Sequence, residues 1–108
     1  MVATPFSGPA LSSSDAQELD RVTDMFRALS NPLRVAIVRE LAKGDLPVHA
    51  LVEAVGAPQP RVSEHLAVLR GARLVRAERH GRSVTYHLVD HHVAHIVEDA
   101  VIHAHEPG

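Results

Sequence analysis

The sequence predicts a mainly α-helical domain with one β-hairpin, in the element order ααααββα, and its 108 residues suit one small domain. Asn31 directly before Pro32 marks a helix start, because Asn caps helices and Pro fits the first helical position. After Gly71 the apolar spacing changes from helical to alternating, which predicts strands. From Asp90 to His105 the chain has no Gly or Pro, and helical spacing returns.

The first helix is expected to begin at a cap formed by Ser14 or Asp15. The residues before it are rich in Ser, Pro and Gly, a composition typical of a flexible tail. The sequence therefore predicts an N-terminal tail over residues 1–14 and a single domain over residues 15–106.

Turn-forming residues bound the next three helices. Gly44 is expected to stop the second helix and Gly71 the fourth, because Gly accepts the left-handed conformation at a helix end. The predicted helices cover 32–43, 48–55 and about 59–70.

The alternating segment predicts two strands, over 74–78 and 83–88. Between them, residues 79–82 are expected to form the hairpin tip, with Gly81 supplying a positive φ. Two helices joined by a Gly-containing turn and followed by a basic hairpin predict a winged helix-turn-helix domain.

Polar residues early in the fourth helix avoid its apolar stripe and are expected to project outward. Polar groups near the start of a recognition helix reach base edges and phosphates, and hairpin arginines suit phosphates or a narrow minor groove. An ordinary solvated face is the alternative, which the clustered arginines disfavour. The candidate contacts to double-stranded DNA are Gln59, Arg61, Ser63, His65, Arg79 and Arg82.

The net charge of −2 is unevenly distributed. Residues 58–87 hold six arginines and two glutamates, whereas residues 88–108 hold four carboxylates and no Lys or Arg. The basic middle suits phosphates, and the acidic end suits cations.

Several classes of protein are disfavoured by what the sequence lacks. Without cysteine there are no disulfides, thiolate metal sites or cysteine redox sensors. We see no apolar run of membrane-spanning length and no signal peptide, and we expect a cytoplasmic protein. The chain lacks a His-Glu-x-x-His motif, a phosphate-binding Gly loop and a nucleophile motif, so we expect no enzyme activity.

The last predicted helix carries four residues with imidazole or carboxylate groups, which suit a divalent cation such as Zn²⁺. At about 100° per residue, His103 lies only about 20° round the helix from His92, so the candidates form one stripe. The candidate metal ligands are Asp90, His92, His103 and Glu106.

One zinc ion cannot contact both ends of this stripe within one chain. His92 and His103 are about 16 Å apart at a rise of about 1.5 Å per residue, whereas zinc–ligand bonds are near 2 Å. A second copy of the helix, running antiparallel across a two-fold axis, would bring the two ends together. The site is then shared between two chains and occurs twice per dimer.

Other residues of the last helix remain alternatives. His95 lies on a neighbouring edge, His105 could replace Glu106, and Asp99 lies on the stripe as a helix-face acid or an additional ligand. Asp90 could be a simple N-cap, and capping can coexist with ligation through its other oxygen.

The motifs resemble those of the ArsR/SmtB family of metal-responsive repressors, over about residues 15–106. The resemblance is carried by Leu29–Arg34 at the start of the second helix, Val62–Leu69 in the recognition helix and Gly81–Tyr86 in the wing. The spacing Asp90-x-His92-x10-His103-x2-Glu106 is similar to the last-helix zinc site of the SmtB-like zinc sensors.

This resemblance implies a homodimer, paired through its first and last helices, that binds an inverted-repeat operator without metal and releases it when zinc binds. It also implies that His103 couples metal to DNA through the backbone near Arg73, just after the recognition helix. The cysteine-based sites of many relatives are excluded, and Pro47 falls about where a third-helix cysteine would be expected.

Three further interpretations remain open. Co²⁺ or Ni²⁺ could use the same site, because geometry rather than affinity order selects among these ions. The last helix could serve only dimerisation in a metal-independent regulator. A hydrolytic zinc enzyme or a His-rich metal buffer fits less well, since the first needs an open coordination position and the second needs no winged segment.

Overall fold

The computed structural model describes residues 12–107, which form five helices and a three-stranded antiparallel sheet of order β1-β3-β2. None of these helices is long and apolar enough to cross a membrane. The mainly α-helical fold with a β-hairpin is confirmed, and one short strand is added to it. The elements are α1 (Ser13–Leu29), α2 (Pro32–Ala42), β1 (Leu46–Pro47), α3 (Val48–Val55), α4 (Gln59–Gly71), β2 (Val75–His80), β3 (Ser83–Leu88) and α5 (His91–His105).

Helix α1 begins earlier than the sequence predicted. Ser12 is the N-cap: its hydroxyl accepts from the Asp15 backbone N at 3.1 Å, and its own N–H donates to the Asp15 carboxylate at 3.4 Å. Neither Ser14 nor Asp15 is the cap, because Asp15 occupies the third helical position of this capping box. Residues 1–11 of the expected tail lie outside the described residues, so the division between tail and domain stays a prediction.

Helix α2 is the centre of the fold, in contact with α1, α3, α4, α5 and β3. The predicted start of α2 is confirmed, because Pro32 is its first helical residue. The Asn31 side-chain oxygen accepts from the backbone N of the second and third helical residues at 2.9 and 3.2 Å. Ile37, Val38 and Leu41 project into the core and are buried. This buried face positions the other helices around α2.

Helices α3 and α4 form the helix-turn-helix unit. Gly56 ends α3 with φ 68°, and its N–H donates to the Val52 carbonyl at 2.9 Å, an arrangement that Gly adopts without strain. In α4 the predicted apolar stripe is confirmed, because Val62, Leu66 and Leu69 are all buried.

The end of α4 differs from the prediction that Gly71 would stop it. Gly71 is the last helical residue, and the left-handed position is Arg73, with φ 60°. The Leu74 N–H donates to the Leu69 carbonyl at 2.9 Å and the Arg73 N–H to the Arg70 carbonyl at 3.0 Å, which is the Schellman pattern. Leu74 is buried beside Leu69, so hydrophobic contact rather than a glycine sets this turn.

The hairpin tip is shorter than expected. His80 pairs with Ser83, so the turn contains only Gly81 and Arg82, and Arg79 belongs to strand β2. Gly81 has φ 61°, as a two-residue turn with Gly at its first position requires. These pairs hold the wing as a regular antiparallel ladder.

Strand β1 was not predicted. Leu46 pairs with Tyr86 and Pro47 pairs with Thr85, so this two-residue strand forms the second edge of the sheet. A strand of two residues is too short to show a periodicity in the sequence. Its pairing with β3 connects the start of α3 to the base of the wing.

Candidate functional site

Asp90 is the N-cap of α5. Its Oδ1 atom accepts from the backbone N of His92 at 2.9 Å and of Val93 at 3.3 Å. The capping role expected for this residue is therefore present. Both bonds use one carboxylate oxygen, so the other remains chemically able to bind a cation, and ligation by Asp90 stays a prediction.

Two of the other three candidate ligands, His103 and Glu106, lie together at the end of α5. The His103 side chain is 87% exposed, and its Nδ1 atom is 3.9 Å from Oε2 of Glu106. Glu106 is the C-cap, with an extended backbone (φ −72°, ψ 137°), and its N–H donates to the His103 carbonyl at 3.1 Å. It therefore does not continue the helical stripe as the sequence predicted, although its carboxylate stays beside His103.

A single chain does not assemble a metal site: no three His, Cys, Asp or Glu side chains within residues 12–107 lie close enough to share an ion. The four candidates form two pairs, one at each end of a helix of 15 residues. Their imidazole nitrogens and carboxylate oxygens, with no thiolate, suit Zn²⁺, Co²⁺ or Ni²⁺. A four-ligand site would need the two pairs to come from different chains.

The alternative ligands are placed differently. His95 packs against His91, with ring centroids 5.4 Å apart, and His91 in turn contacts His92 at 4.1 Å. His95 therefore belongs to a histidine cluster at the start of α5. Asp99 and His105 are exposed.

A groove of about 600 Å³ connects the start of α5 to the end of the recognition helix. It is lined by α1, by Arg73 and its neighbours after α4, and by Asp90 and His92. The backbone near Arg73, to which the family resemblance assigns the coupling, thus lines the same groove as two candidate ligands of the same chain. This is the geometry that a shared site would need in order to reach α4.

The candidate DNA contacts lie on two flanks of α4. At about 100° per residue, Gln59 and Ser63 lie on one side of the buried stripe, and Arg61 and His65 lie on the other. Gln59, Ser63 and Arg61 are exposed. On the wing, Arg79 and Arg82 are also exposed.

His65 is not simply outward-facing as expected. It is half-buried, and its Nδ1 atom is 3.1 Å from Nη1 of Arg34 on α2. Arg34 was not among the predicted functional residues, because no local pattern links two positions 31 residues apart. The contact forms only when α2 and α4 pack together.

Comparison with known proteins identifies the family. Residues 31–77 match the model of bacterial regulatory proteins of the arsR family. The transcriptional regulator NmtR of Mycobacterium tuberculosis is 42% identical over 90 residues, which cover 83% of this chain and 75% of that protein. The chain belongs to the arsR family.

Two other similar proteins support the family assignment and the fold. The repressor SmtB of M. tuberculosis is 52% identical to this arsR-family chain over 88 residues, covering 82% of the chain and 65% of that repressor's length. The homodimeric winged helix-turn-helix DNA-binding domain Mb0332 of Mycobacterium bovis superposes with a TM-score of 0.80 at 28% identity, covering 94% of this chain and all of that domain. The winged helix-turn-helix fold is thereby confirmed, and these relatives are named as transcriptional regulators.

The match to the arsR-family model has informative limits. It begins at Asn31, the cap of α2, and ends at Ala77 in β2. It therefore covers the helix-turn-helix unit and stops before α5. The match to this family model therefore does not bear on the metal ligands in α5, whose assignment stays a prediction.

Capping and ligation by Asp90 can be separated by substitution. In metal-free protein, Asp90→Ala is expected to destabilise the fold by about 1 kcal/mol, whereas Asp90→Asn should change stability by no more than a few tenths of that, because Asn caps as well as Asp. Urea unfolding at matched protein concentration measures both. Asp90→Asn should nevertheless weaken zinc binding, and unchanged zinc affinity in this variant would show that Asp90 is only a cap.

Proposed function

We propose that this chain is a homodimeric transcriptional repressor that binds operator DNA without metal and releases it when zinc occupies two sites shared between the last helices. The observation that carries the proposal is the division of four ligand-type side chains into two pairs at opposite ends of one rigid helix. The first pair borders the groove at the end of the recognition helix. The relative SmtB, a transcriptional repressor, supports the repressor role.

Exposed apolar side chains on α1 and α5 support the dimer. Phe26 is 57% exposed and Ile102 is 58% exposed, and Val22 on α1 borders the groove. Burying such side chains against a second copy would remove apolar surface from water. The homodimeric state of Mb0332 supports the same assembly. In the proposed dimer of this chain, the two α5 helices would run antiparallel. His103 and Glu106 of one copy would then lie beside Asp90 and His92 of the other.

The exposed polar side chains of α4 and the wing support DNA binding. Gln59, Arg61 and Ser63 would face base edges or phosphates, and Arg79 and Arg82 would contact the phosphate backbone or minor groove. Because a two-fold dimer presents two such units, its operator should be an imperfect inverted repeat. The half-sites should lie about one helical turn apart, or a multiple of it.

The groove supplies a route from metal to DNA. Asp90, His92 and Arg73 line the same groove, so an imidazole of a second copy bound beside Asp90 and His92 would be close enough for its other ring nitrogen to donate to the backbone near Arg73. Donation from that nitrogen would fix the imidazole tautomer and connect the metal site to the turn that ends α4. The relative position of the two recognition helices would then depend on metal, and a position that fits two half-sites poorly would release the operator.

Two substitutions should separate affinity from specificity. Arg82→Ala is expected to weaken binding to all duplexes and to reduce the salt dependence, since a phosphate contact is lost. Ser63→Ala should cost more on the operator than on random DNA, because a contact to base edges carries sequence information. Salt-dependent titrations with both duplexes measure this, and equal binding of operator and random DNA by the wild-type protein would contradict the proposal.

Shared sites can be recognised by stoichiometry. A heterodimer of a His92→Ala chain and a His103→Ala chain, purified with two different tags, contains one site without either histidine and one site with all four ligands. We expect one tightly bound zinc per heterodimer, whereas each mutant homodimer has two damaged sites. If each site lay within one chain, the heterodimer would contain no intact site and should bind no zinc tightly.

Zinc is expected to lower operator affinity roughly 5–150-fold, a typical coupling of about 1–3 kcal/mol. By reciprocity, operator DNA should weaken zinc binding by the same factor. Zinc titration of the dimer, with and without operator, measures both, and Co²⁺ and Ni²⁺ in parallel titrations identify the preferred ion. If zinc binds but operator affinity stays constant, the metal is structural, and if operator affinity rises, the metal is a co-repressor. If the dimer binds no stoichiometric metal, the chain is a metal-independent regulator.

A further inference from the structure

Arg34 connects three helices through two side-chain contacts. Its Nε–H donates to the Ala28 carbonyl at the end of α1, at 2.6 Å, and its Nη1 atom lies 3.1 Å from Nδ1 of His65 on the recognition helix. The Arg34 backbone N–H is in turn held by the side chain of Asn31. Arg34 is therefore held at its backbone by Asn31 and at its Nε atom by Ala28, while Nη1 contacts the imidazole.

The contact determines where the imidazole carries its proton. A guanidinium stays charged in proteins and can only donate hydrogen bonds. Nδ1 of His65 must therefore accept, which requires a neutral ring with its proton on Nε2. The opposite tautomer would place an N–H of His65 against an N–H of Arg34 at the same distance.

In this tautomer, the Nε2–H group of His65 is available to another molecule. Within residues 12–107, Nδ1 makes the only side-chain hydrogen bond of His65, and no buried side-chain nitrogen or oxygen lacks a partner. Nε2 of this half-buried residue is therefore accessible to solvent. It lies on the flank of α4 that also carries Arg61, one helical turn earlier.

We propose that Arg34 is a positioning residue that holds His65 as a donor-only group for an acceptor atom on a DNA base. The acceptors exposed in the major groove are purine N7, guanine O6 and thymine O4. The amino groups of adenine and cytosine cannot bond to a ring that has no free acceptor. The inference rests on the proposed DNA-binding function, but the tautomer of His65 is a property of the free protein and can be measured there.

The tautomer is read by two-bond ¹H–¹⁵N correlation spectra of DNA-free protein at about pH 8.5, well above the ordinary imidazole pKa of about 6.5. His65 should show one form, protonated on Nε2. Arg34→Lys keeps the positive charge but loses the planar guanidinium with its several N–H donors. The spectrum of His65 should then approach that of the exposed His49, whose ring exchanges between the two tautomers. The control Arg39→Lys, on the same helix, should leave His65 unchanged. A proton on Nδ1 of His65, or no effect of Arg34→Lys, would overturn the inference.

The DNA contact is tested by a double-mutant cycle on the inverted-repeat duplex that the wild-type protein selects from a random pool. Arg34→Lys should lower the ratio of operator to random affinity by about three- to tenfold, the effect of one hydrogen bond. In a His65→Ala background the same change should have almost no further effect, because Arg34 acts through the imidazole. An equal loss in both backgrounds would show that Arg34 acts independently, through phosphate contact or folding.

A third variant tests the donor role of His65 without changing Arg34, so the test does not depend on whether Arg34→Lys folds. Nε2-methylhistidine at position 65 keeps Nδ1 as an acceptor and preserves the contact to Arg34, but removes the outward donor. Operator preference should fall as far as in His65→Ala, and full preference would overturn the donor role. If the wild-type protein selects no sequence at all, the proposed function fails with the DNA part of this inference, while the spectra still report the tautomer.

Discussion

The rise of an α-helix sets the constraint on which metal sensing would depend. Helix α5 holds the two pairs of candidate ligands about 16 Å apart, whereas two donors on one zinc ion are only about 4 Å apart. Any site that uses both ends must therefore join two chains, and its occupancy would report how those chains are arranged. Val93 and Val97 are buried, and α5 packs on α2, so α5 is fixed to its own DNA-binding unit. A metal ion that joined the two α5 helices of a dimer would consequently restrain both helix-turn-helix units.

The turn after α4 makes the recognition helix, the wing and the start of α5 one connected body. The Leu74 N–H bonds to the Leu69 carbonyl inside α4, and the Leu74 carbonyl accepts from the Val89 N–H at 3.2 Å. Val89 directly precedes Asp90, the cap of α5. A restraint at Asp90 is thus separated from α4 by two residues, Val89 and Leu74, and by two backbone hydrogen bonds. This short path, with a buried Leu74 at its centre, would transmit small displacements because packed interiors deform little.

Local signals predicted most of the fold, and tertiary contacts account for what they missed. Asn31 and Pro32 fixed the start of α2, and the change of period after Gly71 located the hairpin, because each depends only on neighbouring residues. The left-handed Arg73 follows from the burial of Leu74, and strand β1 follows from pairing with β3, so neither has a local signature. The same holds at the site: ligand types and spacing are visible in the sequence, but the contact of Arg34 with His65 requires the packed helices.

The charge distribution shows that release of DNA would have to come from geometry. Adding a dication to the acidic last segment makes the protein less negative, and this change alone would strengthen attraction to phosphates. Counter-ions screen such an effect beyond about 8 Å at physiological ionic strength, so its contribution at the recognition helix is small but has the wrong sign for derepression. The restraint between the two units must outweigh it. Release would therefore need a rigid link between the candidate metal ligands and α4, and the turn that contains the buried Leu74 would provide one.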